Sequence, residues 1–440
     1  MTTALPEKFD IELEQIFRGE QKPRRIAVAV SGGSDSMALC SLANTWCAKH
    51  KVDLVALTVD HGLREEAASE AELVHDWLKA QDIEHVTLTR KGPAPFTGLQ
   101  EFARNARYRL LLDKCHEIGA SALFVGHQME DQLETFLMRF SKGSALQGLS
   151  VMRPKVRRSG IDLVRPMLVF RRAELREYLD ALEQDWVEDP SNENPEYTRT
   201  ELGRVLNVMS NLPGSDHSSM ALSVNRVQRA DNALRQIARL MFSQKANIDP
   251  LGFVQIPEDF YVGVPAEINV RFLMEIFQTV RCAGVHIKLI HIEQLLDRLV
   301  RMDQRVAVTM AGCQMRPFKK SWIICREPGR SDLPEEKLEG LHELVWDNRF
   351  KVIDNATADE RVAVSNFEIR RLGDAGWRQL AESVMPSDIL NLPSMVRKNL
   401  PALWNGDEIV AMPLFSEQNT VLGIAKGRFE MVFIPKINQK

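Results

Sequence analysis

The chain has 440 residues, 44% hydrophobic and 26% charged, with a formal net charge of −4. Such a chain fills two or three ordinary globular domains, and its charge excludes meeting nucleic acid through the overall field, so that contact needs a local basic patch. Its six cysteines form no Cys-x-x-Cys pair, no apolar run reaches membrane-spanning length and Met1 to Asp10 holds no signal-peptide core, which leaves zinc ribbons, dithiol centres and membrane anchors without support.

The first strong element is Ile26–Val30, a short apolar run that reads as a strand buried on both faces. It breaks at Ser31-Gly-Gly-Ser-Asp-Ser36 and resumes as a helix over Met37–His50. Two glycines at a strand-to-helix turn let successive amides converge on phosphate oxygens, and the helix start adds a positive dipole end. Ser31, Ser34 and Ser36 can donate hydroxyl hydrogen bonds, while Asp35 can hold Mg²⁺. The dinucleotide and Walker loop patterns are absent. The stretch resembles the SGGxDS loop of the N-type ATP pyrophosphatases, whose bound cofactors would be ATP and Mg²⁺. The plain alternative is a Gly/Ser turn after a core strand.

Further strands are expected at Val52–Val59, Glu84–Thr89 and Ala122–Val125, with helices at Glu65–Gln81, Leu99–Ile118 and Asp131–Phe140. This alternation predicts an α/β fold, a doubly wound parallel sheet with its ligands at the carboxyl ends of the strands. Asp60 and His61 close the second strand and would line the nucleotide crevice. No histidine or cysteine at ligand spacing makes His61 a metal ligand. Arg104 and Arg107 share a helical face beside Tyr108; they are either solvated surface or phosphate forks.

The fourth strand runs into Gly126-His-Gln-Met-Glu-Asp-Gln-Leu-Glu134. His127, Asp131 and Glu134 can share one helix face, apart from the apolar stripe of Leu133, Phe136, Leu137 and Phe140. Capping and the macrodipole explain carboxylates at a helix start, but not a cluster facing a crevice. It could grip an ammonium group, bind Mg²⁺ or accept a proton.

From Arg139 to Arg172 there are nine basic residues and one acidic one, Asp162. A run this one-sided reads as a track for an RNA backbone, or else as a solvated face. Met209–Ser218, with Leu212-Pro-Gly-Ser-Asp216 inside it, is a linker by composition. Amphipathic helices follow at Ala221–Phe242, Glu267–Arg281 and His286–Arg301, and strands at Val306–Met310 and Trp322–Cys325. A break near Pro328–Pro334 precedes a small α+β module. The expected domains are 1–215, catalytic; 216–330, mostly helical; and 331–440, carrying Arg370, Arg371, Arg397 and Lys398.

Taken together, Ser31–Ser36, Asp60-His-Gly-Leu-Arg64, Ala103-Arg-Asn-Ala-Arg-Tyr108, Gly126–Thr135, Arg165-Pro-Met-Leu168 and Trp186-Val-Glu-Asp-Pro-Ser-Asn192 resemble the tRNA(Ile)-lysidine synthases. The likeness covers about the first 200 residues and returns at Glu368–Arg371 and Met395–Pro401. It implies an ATP-dependent ligase that joins free L-lysine to the wobble cytidine of tRNA(Ile) with a CAU anticodon, through an adenylated cytidine. It implies catalytic Asp35, Asp131, Glu134 and Arg107, with lysine held by Asp131 and Glu134. ATP would meet Ser31, Gly32, Gly33, Ser34, Asp35, Ser36, Asp60, His61, Gly126, His127 and either Arg199 or Arg204. The tRNA would meet Lys142, Arg153, Lys155, Arg157 and Arg158, together with the four basic residues of the last module.

Two departures stand out: the family's Asp-Asp pair is Glu130-Asp131, and its Arg-Asn-x-x-Arg element reads Arg199-Thr-Glu-Leu-Gly-Arg204. Sulfur-inserting tRNA enzymes share the loop but many rely on Cys-x-x-Cys pairs, and amide synthetases need a glutaminase nucleophile that no motif here supplies. A non-catalytic RNA-binding protein would not need Asp35, Asp131 and Glu134. The expected compartment is the cytoplasm, since few scattered cysteines suit a reducing milieu. Assembly is left open, a homodimer included.

Overall fold

A computed structural model describes residues 4–60, 66–90, 99–188, 198–282, 287–301, 307–329, 332–338, 341–357, 367–381, 390–412, 414 and 428–435. The chain forms two compact units, Met1–Asp231 and Asn232–Lys440.

The first unit opens with α1 (Ala4–Ile16) and then alternates: β1 (Arg25–Ala29), α2 (Ser34–His50), β2 (Asp53–Asp60), α3 (Glu66–Ala80), β3 (Glu84–Thr89), α4 (Leu99–Glu117), β4 (Ala122–Val125) and α5 (Met129–Ser141). After the short α6 (Leu146–Leu149) come β5 (Lys155–Arg158), β6 (Ile161–Val164), α7 (Arg172–Ala181), α8 (Thr198–Ser210) and α9 (His217–Lys245). The sheet order is β3-β2-β1-β4-β6-β5, parallel except for β5, which pairs antiparallel with β6 at the edge. The doubly wound expectation holds, with one antiparallel edge strand added to it.

Both faces of the sheet are covered, which is why its strands read as nearly continuous apolar runs. Ile26, Val28 and Phe124 pack with Leu39, Trp46 and Leu175 on one face. Ala27, Leu57, Leu123 and Val125 pack with Tyr108, Leu111 and Cys115 of α4 on the other. The helices therefore change sides between β1 and β4. In open α/β sheets the ligand crevice lies at that switch point, beyond the carboxyl ends of the strands. Ala29 sits opposite both Leu57 and Val125, so the segments after β1 and β4 leave the sheet side by side.

The second unit holds a five-stranded antiparallel sheet in the order β7-β8-β11-β10-β9: Asn247–Asp249, Phe253–Pro257, Ser321–Arg326, Cys313–Phe318 and Val308–Met310. The buried faces of α10 (Ala266–Arg281) and α11 (Leu289–Arg301) pack with it. Helical periodicity anticipates both helices, β9 and β11, but not β7, β8 or β10. A three-residue strand carries too little pattern, and β10 contains Arg316 and Pro317. A four-stranded and a three-stranded antiparallel sheet complete the unit. All six cysteines are buried, and none is in a disulfide. No described helix is long and apolar enough to cross a membrane.

Candidate active site

The turn from β1 into α2 is held by its own side chains. The Ser36 hydroxyl accepts from the Ser31 amide at 3.1 Å, lies 3.3 Å from the Ser31 hydroxyl and donates to the Gly33 carbonyl at 2.9 Å. Its proton is thus committed to the loop, so Ser36 shapes the turn rather than offering a donor to phosphate. Gly32 has φ +88°, and a Cβ there would lie 2.9 Å from Val74 and 3.2 Å from Val187; conformation and space both demand glycine. The Val187 amide donates to the Gly32 carbonyl at 2.9 Å, tying the segment after α7 to the loop. Gly33 is the N-cap of α2 and supplies no side-chain cap. The first amides of α2, at Ser34 and Asp35, therefore have no partner inside the helix. An uncapped helix start with a positive dipole end is a seat for an anion.

The neighbouring helix is finished differently. Gln128 caps α5 through its side-chain oxygen, and Asp131 Oδ2 accepts from the Gln128 amide at 3.2 Å, closing a capping box. Glu130 turns away and accepts from the Arg172 amide at 3.1 Å, so it finishes the start of α7; His217 lies 4.0 Å from its other oxygen. Gly126 permits the approach of the two loops: a Cβ there would sit 3.2–3.3 Å from the backbone of Asp35 and Ser36.

Asp35 lies at the centre. Burial pushes its carboxyl up to about 6, Arg172 draws it down, Asp131 and Glu130 push it up again, and Arg176 lowers it. Arg172 Nε is 3.8 Å from Asp35 Oδ2, while Asp35 Oδ1 is buried with no hydrogen-bond partner. Arg176 is already engaged, with Glu188 at 3.0 Å. Among the described residues, three carboxylates thus outweigh the one guanidinium left to answer them beside an uncapped helix start. An orphaned buried oxygen in a net negative site fits a hard divalent cation such as Mg²⁺.

Residues 5–209 match the PP-loop domain family. Over 347 residues the chain is 33% identical to the tRNA(Ile)-lysidine synthase of Wolbachia pipientis wMel, an alignment covering 77% of this chain and 80% of that one. The chain belongs to the tRNA(Ile)-lysidine synthase family. The Ruegeria pomeroyi member is 32% identical over 90% of this chain and 89% of its own, and the Rickettsia felis member 28% over 98% and 97%.

In this lysidine synthase family chain the remaining expected residues fall into three groups. Asp60 ends β2 on the crevice side, and Gly126 and His127 follow β4. Glu134 is buried one turn beyond Asp131, and its Oε1 lies 3.9 Å from where a Cβ on Gly203 of α8 would be. Arg107 is half-buried on α4, its Nε without a hydrogen-bond partner. Arg204 is exposed and paired with Glu201 at 3.0 Å on its own helix. His61 and the side chain of Arg199 lie outside the described residues, as do Arg64 and Asp189–Asn192.

The residues expected at tRNA are mostly engaged. Arg153 pairs with the fully buried Asp231 at 3.0 Å, Lys155 with Glu20, and Arg157 with Asp162 at 2.9 Å. Arg158 lies over the Tyr108 ring, and Lys142 is exposed at the end of α5. In the second unit Arg370 stacks on Trp404 and Arg397 on Trp377, while Arg371 and Lys398 pair with Asp332 and Asp374. Motif reading pointed to Asp35 and Asp131 but passed over Glu130, Arg176 and Val187, which close the site from elsewhere in the chain. The signal for Glu130 was present, as the departure from Asp-Asp.

Proposed function

We propose that this enzyme ligates L-lysine to C2 of the wobble cytidine in tRNA(Ile) with a CAU anticodon, cleaving ATP to AMP and diphosphate. The observation that carries the reading is the contrast between two adjacent helix starts, α2 left uncapped beside a carboxylate cluster and α5 closed by its own side chains. One can receive phosphate oxygens; the other keeps Asp131 and Glu130 close enough to raise the Asp35 carboxyl. Family membership supplies the substrates. The proposed compartment is the cytoplasm, where six cysteines outside any disulfide persist as thiols.

In the first step the C2 carbonyl oxygen of the cytidine attacks the α-phosphorus of ATP, and the bond to diphosphate breaks. The Ser34 and Asp35 amides take up charge appearing on the departing diphosphate. Mg²⁺ held by Asp35, when bound, neutralises phosphate charge and lowers the barrier to that departure. In the second step Asp131 and Glu134 hold the lysine side-chain ammonium group, and one of them takes its proton. The freed amine adds to C2, and AMP leaves with the former carbonyl oxygen. The cytidine must be unstacked to be reached, which suits recognition of a single-stranded loop.

Adenylation precedes lysine in this order, so labelled diphosphate should exchange into ATP when tRNA is present and lysine is absent. Exchange that needs lysine, or that proceeds without tRNA, would contradict the two-step reading.

A further inference from the structure

Around Tyr108 the fold gathers arginines that no carboxylate among the described residues answers. Arg104 and Arg107 of α4 each lie 5.6 Å from the Tyr108 ring, and Arg158 of β5 lies 4.7 Å from it. Arg165, just past β6, and Arg139, near the end of α5, are half-buried, and each lies within reach of the Arg104 charge. Each gives one N–H to a carbonyl: Arg165 to Arg153 at 2.9 Å, Arg139 to Gly148 at 2.6 Å. The Nε atoms of Arg107 and Arg165 are buried with no acceptor. Burial lowers the Arg139 pKa and Arg104 lowers it further. For Arg165, burial lowers, Tyr108 raises and Arg104 lowers again.

Among the described residues none of these five guanidinium groups has an acidic partner. Their neighbours on β5 and before it behave otherwise: Arg153, Lys155 and Arg157 each face an acid. Where a basic residue of this stretch serves the fold, a carboxylate meets it. Like charges gathered without one raise the energy of the empty site, and a phosphate group relieves that while matching the planar fork of arginine. The position argues against the diphosphate of ATP as the occupant. Tyr108 belongs to the α4 face of the sheet, whereas α2 covers the other face. Arg139 lies eight residues beyond Asp131 on α5, about 12 Å along the axis.

We propose that Arg104, Arg139 and Arg165 seat a phosphodiester of the tRNA strand that carries the target cytidine. This rests on the proposed function for its ligand; it narrows the RNA track expected across Arg139–Arg172 to Arg139 and Arg165, which no acid meets among the described residues, and adds Arg104 to them. Three guanidinium groups on one phosphate would fix where the strand enters, and so which base reaches the crevice.

The test uses the full chain with Arg104→Gln and Arg139→Gln made singly, and with the matching lysine variants. Arg104 is exposed, so its replacement leaves the core untouched; melting curves check both glutamine variants. Binding of fluorescent tRNA is measured across a salt series, and ATP binding by calorimetry. Each glutamine variant should lose about threefold to tenfold in tRNA affinity near 0.1 M salt, and its salt slope should fall by roughly 0.7–0.9. The lysine variants should recover the slope, and ATP affinity should stay at the wild-type value. Unchanged slopes in both glutamine variants, or a loss of ATP affinity instead, would overturn the seat. A wild-type chain that binds tRNA with the expected salt dependence yet incorporates no lysine would overturn the function and leave the seat standing.

Discussion

Asp35 shows what the site costs the fold. Its carboxyl is three-quarters buried beside Asp131 and Glu130 and is pushed up to about 6, above the unfolded value of 3.8. A raised carboxylate binds its proton more tightly when folded. Stability is therefore full below the unfolded value, falls as pH rises toward 6, and stays reduced above it. Two pK units correspond to about 3 kcal/mol. Asp35→Asn should accordingly melt several degrees higher than the wild type at pH 8 without nucleotide or metal, lose that advantage near pH 4, and be inactive. A variant that melts at or below the wild-type temperature at pH 8 would mean that the carboxylate is not strained in the empty site. Much of this was legible beforehand, because Ser31–Ser36 and the acids after β4 stand in a motif. What was not legible is that Glu130 caps α7, since that role depends on a residue 42 positions away.

At the scale of elements, the first four strands and the helices between them could be read from sequence because both faces of that sheet are buried, so the apolar runs are continuous. The β5–β6 hairpin could not: Lys155-Val-Arg-Arg158 is an edge strand whose charged side chains look like surface, and its partner Ile161–Val164 spans four residues. Position, not composition, decides such strands. In the second unit, β12 (Glu343–Trp346) and β13 (Phe350–Asp354) are joined by a turn whose Asp347 is buried among arginines. It accepts from Arg326 Nε at 3.0 Å and Arg349 Nε at 2.8 Å, with Arg281 at 3.8 Å. Removing a buried carboxylate leaves its partners charged and unanswered, a cost of about 3–5 kcal/mol. Asp347→Asn should lower the urea midpoint of that unit by the corresponding amount. A loss below about 1 kcal/mol would mean that water reaches these guanidinium groups.

For the whole molecule, the −4 net charge is compatible with an RNA substrate because basic groups are concentrated locally, and pairing determines which of them stay available. The central claim is that the uncapped start of α2 takes the departing diphosphate while acids across the gap present an amine. Its most direct test is to mix the full chain with radiolabelled lysine, ATP, Mg²⁺ and tRNA(Ile) transcript, and to recover the tRNA. Label bound to tRNA only when ATP is present, and lost when the CAU cytidine is replaced, is the expected result. Label that never enters tRNA, or enters without ATP, would contradict it.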